Sequence, residues 1–553
     1  MKKIIVLLCV ALSVMVANAQ PSAVKKAANS VFTLTTFDKD GSIKASSRGF
    51  FYGADGEAVA PWTPFVGAAT AVVVDAKGKK YDVSTMMGVN ELYDVCRFRV
   101  GDKGVSMRPA TKAAKAGAKV WLANNAGGKV AASAMEVVKN EAFMQKYSYY
   151  ILSGKVADNT LGCPVVDDSG AVLGLLQPSE TDGDSHATDV AFLDTVATTG
   201  LSLNDPVLRQ TGIRVDMPKD KEQAALFLVM AREQSDSLRY VQYVEDFKRL
   251  FPTELDGYTA LAQVKINAHD YDGAMSEMRD AEKNVQDKAA AHSEWSRLMY
   301  QKLVFQPDST FTKWTFDNAL EEARKAYSID PQPAYKHREA QIVFSQQNYA
   351  EAYDMFMELT KTKLRNGELF YEAAQCKTQL KAPAQDIIVL LDSAVAACQQ
   401  PLTSLAAPYV LSRGHLYDEI GEYRKALKDY LLYDSLMVGR ASDVFYYTRY
   451  QCEMKLKQYQ QALNDIAHAA IINPSQPIYL AELASLQLRV NRFEDAVKAA
   501  DLCLNIAPEN TDSYIIKGLA LIQMKKKEEG LQALNKAKEL GDSRADALIS
   551  KYK

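Results

Sequence analysis

A recurrence in the second half of this 553-residue chain restricts its fold more than any other feature. A small side chain, or a substitute for one, is followed twelve positions later by alanine or glycine. The pairs are Gly414 with Ala426, Tyr450 with Ala462, Ala484 with Ala496, and Gly518 with Gly530. Successive pairs begin about 34 residues apart, a period typical of stacked helical hairpins. Pro474 and Pro508 keep the same interval, and Asp330-Pro331 closes an earlier unit. From about residue 218, Ala, Leu, Tyr, Glu and Lys recur at helical spacing while Pro and Gly thin out. Small side chains are needed where the two helices of a hairpin approach closely. Large apolar ones fill the space between hairpins, and a proline after the second helix stops it.

This pattern resembles the tetratricopeptide repeat, whose period is about 34 residues. In the unit beginning at Asp443 the resemblance runs through Tyr446, Tyr450, Ala462, Ile466, Ala469 and Pro474. In the next it runs through Leu480, Ala484, Ala496, Ala500, Cys503 and Pro508, and in the last through Tyr514, Gly518, Leu521, Gly530, Leu534 and Ala537. It is strongest over 407–541. Weaker units centre on Ala262 with Ala274 and on Ala340 with Ala352. Residues 287–331, interrupted near Gln306-Pro307-Asp308, and 367–401, with Lys381-Ala382-Pro383 inside, fit poorly. One helix is expected over Lys219–Arg249, ahead of about seven to nine hairpins in residues 218–553.

The first half has another rhythm. Val31–Phe37 is strand-like and ends at Asp40-Gly41, Gly49–Gly53 ends at Asp55-Gly56, and Ala71–Val74 ends at Lys77-Gly78. Further strands are expected at Asp94–Val100, Lys119–Leu122, Tyr147–Leu152 and Ala171–Leu176. Many short strands with glycine-containing turns predict an all-β barrel or sandwich over 20–200. The connector, 201–217, is short and not rich in Gly or Ser, so the halves are expected to pack together rather than hang on a free tether.

Residues 48–68 run Arg48-Gly49-Phe50-Phe51-Tyr52-Gly53, then Asp55-Gly56, then Ala60-Pro61-Trp62-Thr63-Pro64-Phe65-Val66-Gly67-Ala68. This resembles the opening of trypsin-like peptidases of the secreted bacterial type, with Thr63 where that family carries its histidine. Tyr93–Val100 resembles the strand bearing the family's aspartate, which places Asp94 at the triad acid. Gly117–Leu122 resembles the strand that opens the second barrel. Asn159–Asp167, followed by Gly170–Gly174, resembles the nucleophile loop and the strand after it, with Leu161 at the nucleophile. The resemblance covers the β-rich stretch from Asn29 to Gly200 and implies a double β-barrel. The expected fold is therefore multidomain: an N-terminal all-β double barrel of the trypsin-like kind and a C-terminal all-α solenoid of tetratricopeptide type.

The chemistry of that family needs a nucleophile, a base within reach and an acid that orients the base. Leu161 cannot attack a carbonyl, and Thr63 cannot accept a proton at neutral pH. No histidine precedes His186; the other five are His269, His292, His337, His415 and His468. Asn159 and Thr160 replace the Gly-Asp that shapes the family's oxyanion site. Cys163 lies two positions past the nucleophile and reads as a packed residue. A last strand is expected at Ala187–Phe192, next to His186. The reading is a barrel that keeps the fold without the triad, so no catalytic residue is assigned.

The tetratricopeptide resemblance implies a different site. That family binds peptides or protein segments on the face lined by the first helix of each unit. Carried over unit by unit, the face includes His337 and Gln341, His415 and Asp418, Tyr447 and Gln451, then Ser485 and Arg489. The clamp that some members use for a terminal carboxylate is not matched; its positions hold Leu411, Tyr447, Ala481 and Ile515. The expected partner is a protein or peptide read by aromatic and hydrogen-bonding contacts.

The remaining features narrow the classes. A net charge of −3 gives no support for nucleic-acid binding. There is no GxxxxGK(S/T), HExxH or GxSxG motif, and the acidic loop Ser179–Asp184 lacks the full calcium-loop ligand spacing, so no cofactor or metal is expected. Met1-Lys2-Lys3, the apolar run Ile4–Val16 and Ala17-Asn18-Ala19 predict a signal peptide, residues 1–19, cleaved to leave Gln20 first. The run is too short to span a bilayer, so the expected location is the periplasm or envelope, or outside the cell, without a membrane span. Six cysteines remain after it, without a CxxC, and are expected as buried thiols, with one bridge allowed in an oxidising compartment. Three functions stay open: a non-enzymatic adaptor, a peptidase with a displaced catalytic group, and a peptide-sensing regulator.

Overall fold

The computed structural model describes residues 20–101, 104–179, 183–308 and 310–553. The leader and part of the acidic loop lie outside the described residues. The chain divides into two compact units, one ending at Asp287 and the other starting at Lys288.

The first unit opens with a short helix, α1 (Ser22–Ala27), and then twelve strands. They are β1 (Val31–Phe37), β2 (Ile43–Phe51), β3 (Glu57–Ala60), β4 (Thr70–Val74), β5 (Lys80–Asn90) and β6 (Val95–Val100). The second set is β7 (Lys119–Ala126), β8 (Lys129–Phe143), β9 (Tyr147–Ser153), β10 (Pro164–Val166), β11 (Val172–Gln177) and β12 (Asp184–Asp189). Each set closes into an antiparallel barrel. The order is β1-β2-β3-β6-β5-β4 in one and β7-β8-β9-β12-β11-β10 in the other, so the two barrels share one topology. This is the trypsin-like double barrel. Closure removes every sheet edge and turns alternate side chains inward. In β1, Phe32 and Leu34 are fully buried in the first barrel's core.

The expected last strand is corrected. β12 runs from Asp184 to Asp189 and stops because the Asp189 carboxylate accepts the Ala191 N–H, capping the short helix α2 (Val190–Leu193). The segment before β1 belongs to the other barrel: Val24 and Ala28 are buried with Trp121, Val165 and Leu175.

After the barrels come α3 (Lys221–Gln234), α4 (Ser237–Leu250), α5 (Leu255–Asn267) and α6 (Tyr271–Asn284). The single helix expected over Lys219–Arg249 is two. Asp236 stands between them, and its side chain accepts the Arg239 N–H at the start of α4. These helices are packed on the first barrel, since Phe227, Tyr243, Val244 and Phe247 share one core with Trp62, Phe65 and Phe98. The connector is part of the same packing. Met86 donates its N–H to Arg214 O (2.8 Å) and accepts from Asp216 N (2.7 Å), so residues 214–216 run parallel to β5.

The second unit consists of helices paired in chain order. They are α7 (Lys288–Phe305), α8 (Phe316–Ile329), α9 (Pro333–Ser345), α10 (Tyr349–Leu359), α11 (Gly367–Gln379), α12 (Ala384–Ala396), α13 (Ala407–Glu419) and α14 (Tyr423–Met437). Then follow α15 (Asp443–Lys455), α16 (Tyr459–Ile472), α17 (Pro477–Arg489), α18 (Phe493–Ile506), α19 (Thr511–Gln523), α20 (Lys527–Glu539) and α21 (Ala545–Tyr552). Hairpins form at the weakly fitting segments as well as the strong ones. The paired small positions are where helices touch: a Cβ on Gly518 would stand 2.9 Å from Gly530 O. Pro474 and Pro508 fall in the turns between hairpins. Two successive units add the same ionic staple, absent from the sequence pattern. Arg413 grips both oxygens of Asp429 at 2.8 and 2.7 Å, and Arg449 grips those of Asp465 at 2.5 and 2.8 Å.

Candidate functional site

The three positions matched to a catalytic triad come from different parts of the first unit. Thr63 opens a tight turn directly after β3, and Asp94 closes the turn before β6. The Thr63 N–H and hydroxyl both donate to one oxygen of Asp94, at 2.6 and 2.8 Å. The Trp62 N–H donates to the Asp94 carbonyl at 3.3 Å. Burial raises the Asp94 pKa, and the bonds from Thr63 and Trp62 oppose that rise. The fold therefore joins the two residues that the resemblance matches to base and acid, through a hydroxyl and an N–H donor.

Leu161 follows a one-turn helix, Asp158–Thr160. Its N–H donates to Asp158 O at 3.2 Å, and its carbonyl accepts the Arg48 N–H at 3.1 Å. In acyl transfer the backbone N–H at the nucleophile position is one of the donors that hold the developing oxyanion. Here that donor is turned back into its own loop. Gly162 sets the loop against the first barrel: its φ is +84°, and a Cβ would lie 2.1 Å from Arg48 O and 2.7 Å from Pro61 Cδ. Pro61 stands two residues before Thr63, so the loop that carries Leu161 packs against the segment leading into the Thr63–Asp94 pair.

Cys163 belongs to the buried core of the second barrel. It is fully buried, and burial pushes its thiol up to about 12, against the pull of Arg48. His186 on β12 sits with Tyr149, Nδ1 to OH at 3.2 Å. Each described cysteine is a free thiol, and Cys398 alone among them is partly exposed.

The eight residues of the inferred partner face lie on α9, α13, α15 and α17. His337 and Gln341 are joined through Glu372, at 2.5 and 2.8 Å. His415 packs against Tyr430 with ring centres 5.7 Å apart; burial lowers its pKa, and nearby Asp418 opposes that shift. Burial raises the Asp418 pKa. Tyr447 lies between Tyr450 and Tyr479, 5.8 and 5.1 Å away, and Tyr450 donates its hydroxyl to Glu482 at 2.8 Å. Gln451 and Arg489 are exposed and Ser485 is half-buried. Arg489 stands over the Tyr459 ring at 5.8 Å.

Sequence reasoning missed Tyr371 and Tyr409, whose rings are 5.0 Å apart on α11 and α13. A signal existed: Tyr371 follows His337 at the same interval that links the stronger units.

No family model matches the chain. Small glutamine-rich tetratricopeptide repeat-containing protein 2 of Saccharomyces cerevisiae is 30% identical over 100 residues, which is 18% of this chain and 29% of that protein. The chain thus spans under a third of that relative. Solved structures similar to the first unit include the Rv3671c protease of M. tuberculosis in its active form (17% identity, 32% of this chain and 89% of that chain, TM-score 0.28). The HtrA-type protease AlgW with tripeptide is 14% identical over 31% of this chain and 60% of its own, TM-score 0.28. The serine endoprotease from Yersinia pestis is 15% identical, covering 31% and 63%, TM-score 0.27. No helix among the described residues is long and apolar enough to cross a membrane.

Proposed function

We propose that the chain is an exported, non-catalytic adaptor of the cell envelope, in which a trypsin-like barrel without a working triad is joined to helical repeats that bind protein partners. One observation carries this reading: the Thr63 hydroxyl occupies the hydrogen bond to Asp94 that a catalytic histidine would need, and it cannot relay a proton at neutral pH. Leu161, which has no nucleophilic atom, and its N–H directed at Asp158 O support the same reading. The repeats support protein partners, since stacked hairpins of this kind form extended binding surfaces. The charged start and small-residue end of residues 1–19 support export through a cleaved leader.

The test uses the full mature protein. Incubation with unfolded casein and with fluorophosphonate and thiol-directed acyl probes is expected to give neither turnover nor labelling at the barrel. Turnover lost in Cys163→Ala would replace the adaptor by a peptidase with a displaced nucleophile. Capture from envelope extract should retain a defined protein partner, and mass spectrometry of the exported chain should find Gln20 at its N-terminus.

A further inference from the structure

In the second unit three helix ends meet around a cavity of about 550 Å³: the starts of α11 and α13 and the end of α12. Gly367, Glu368, Cys398, Pro401, Leu405 and Tyr409 line it. Gly367 lets the walls close: a Cβ there would stand 2.8 Å from Tyr409 Cε2 and 3.1 Å from Cys398 Sγ. Its lip carries two exposed apolar residues, Pro401 and Leu405 (81% exposed), beside the polar Gln399, Gln400 and Thr403.

The charge of the cavity is one-sided. Glu368 is an ionisable carboxylate in its wall, and no lysine, arginine or histidine is among the lining residues. A second carboxylate, Glu372, acts on Tyr409 together with Glu368; with burial the largest cause, they push that phenol up to about 12. The Tyr371 ring lies tilted against Tyr409, behind the cavity wall. The start of α11 and the one-turn helix Ser404–Ala406 ahead of α13 each use a donor internally, the Asn366 side chain accepting the Leu369 N–H and the Thr403 side chain the Leu405 N–H. An anion entering here would meet a carboxylate with no cation to answer it.

We propose that this cavity holds a cationic side chain of a polypeptide partner, arginine before lysine. The methylene stem packs on Pro401 and Leu405, and the head group meets Glu368 and the Tyr409 ring. Arginine fits better because its planar guanidinium both stacks on aromatic faces and pairs with a carboxylate through two parallel bonds. The proposal rests on reading the repeats as a partner-binding surface and names the chemistry that surface selects.

Cys398 reports occupancy, being a partly exposed thiol in the cavity wall. Full-length mature protein is alkylated with N-ethylmaleimide, and Cys398 modification is followed by mass spectrometry. The probes are the Nα-acetyl methylamides of arginine, lysine and citrulline. The arginine probe is expected to slow Cys398 alkylation saturably at millimolar concentration, the lysine probe less. Citrulline, which keeps the shape but not the charge, should not protect. Glu368→Gln should weaken arginine protection roughly fivefold with unchanged thermal unfolding, since Glu368 is exposed. Equal protection by citrulline, undiminished protection in Glu368→Gln, or no protection by arginine would each overturn the proposal. Partner capture is scored separately: wild type and Glu368→Gln retaining the same partner equally, without arginine protection, removes this site and leaves the adaptor. Arginine protection without any retained partner leaves the site and removes the adaptor.

Discussion

Thr63 directs two donors, its N–H at 2.6 Å and its hydroxyl at 2.8 Å, at a single oxygen of Asp94. The pair is a closed structural contact joining the turn after β3 to the turn before β6. A hydrogen bond to a charged acceptor contributes about 1.5–3 kcal/mol. Thr63→Val should therefore destabilise the first unit by about 1–2 kcal/mol. A double-mutant cycle with Asp94→Asn, followed by urea unfolding, should show the two changes to be non-additive.

Placing a histidine and a serine at the matched positions is expected not to confer hydrolysis. In Thr63→His with Leu161→Ser, the N–H of residue 161 still faces Asp158 O at 3.2 Å, so the developing oxyanion lacks that donor. Casein and fluorophosphonate assays of the double variant check this. Turnover there would mean that the Asp158–Thr160 turn rearranges when substrate binds.

Gly162 and Gly41 separate two costs of a side chain. Both have φ of +84°, but a Cβ at Gly41 meets nothing within 4 Å, whereas at Gly162 it would lie 2.1 Å from Arg48 O. Gly41→Ala should cost only the left-handed backbone penalty, about 1–2 kcal/mol. Gly162→Ala adds a backbone clash that must move the nucleophile loop or β2, and should cost at least about 2 kcal/mol more. Denaturation midpoints of the two variants give the difference.

The Arg449–Asp465 staple has a pH consequence. Glu453, 3% exposed, lies beside it; burial and then the Asp465 charge push its carboxyl up to about 8, while Arg449 pulls it down. A carboxyl whose pKa rises on folding contributes stability in full below its unfolded value near 4.5 and loses it as pH rises through about 8. Glu453→Gln should remove that decline, so variant and parent converge in acid and the variant is the more stable above pH 8. Urea midpoints of the second unit's transition against pH test the sign. Arg449→Met leaves the buried Asp465 carboxylate without its cation and should cost about 3–5 kcal/mol.

Legibility followed the physics of each half. Hairpins α13 to α20 were readable because each unit repeats the packing rule of the one before, and even Gly518 facing Gly530 was implied by spacing. The strands with buried alternation, such as β1 and β9, were readable too. β8 was not: over Lys129–Phe143 only Met135 and Val137 are buried, so this strand has almost no inward pattern to see. β12 was displaced because the Asp189 cap ends it early, a local hydrogen bond that outweighs the strand-forming residues beyond. In the repeats, Tyr371 carries little signal because its hairpin fits the repeat poorly, yet tertiary packing sets it against Tyr409.

By itself the sequence determined the two fold types, because periodicity dictates which faces are buried, and it determined that the positions matched to a base and a nucleophile hold Thr63 and Leu161. Only the tertiary structure decided that Thr63 bonds to Asp94, that the connector joins β5, that Arg413 and Arg449 staple their hairpins, and that Glu368, Cys398 and Tyr409 wall one cavity. Those are contacts between residues distant in the chain. Their geometry is set by how closed barrels and stacked helices bring elements together, and local spacing carries no record of it.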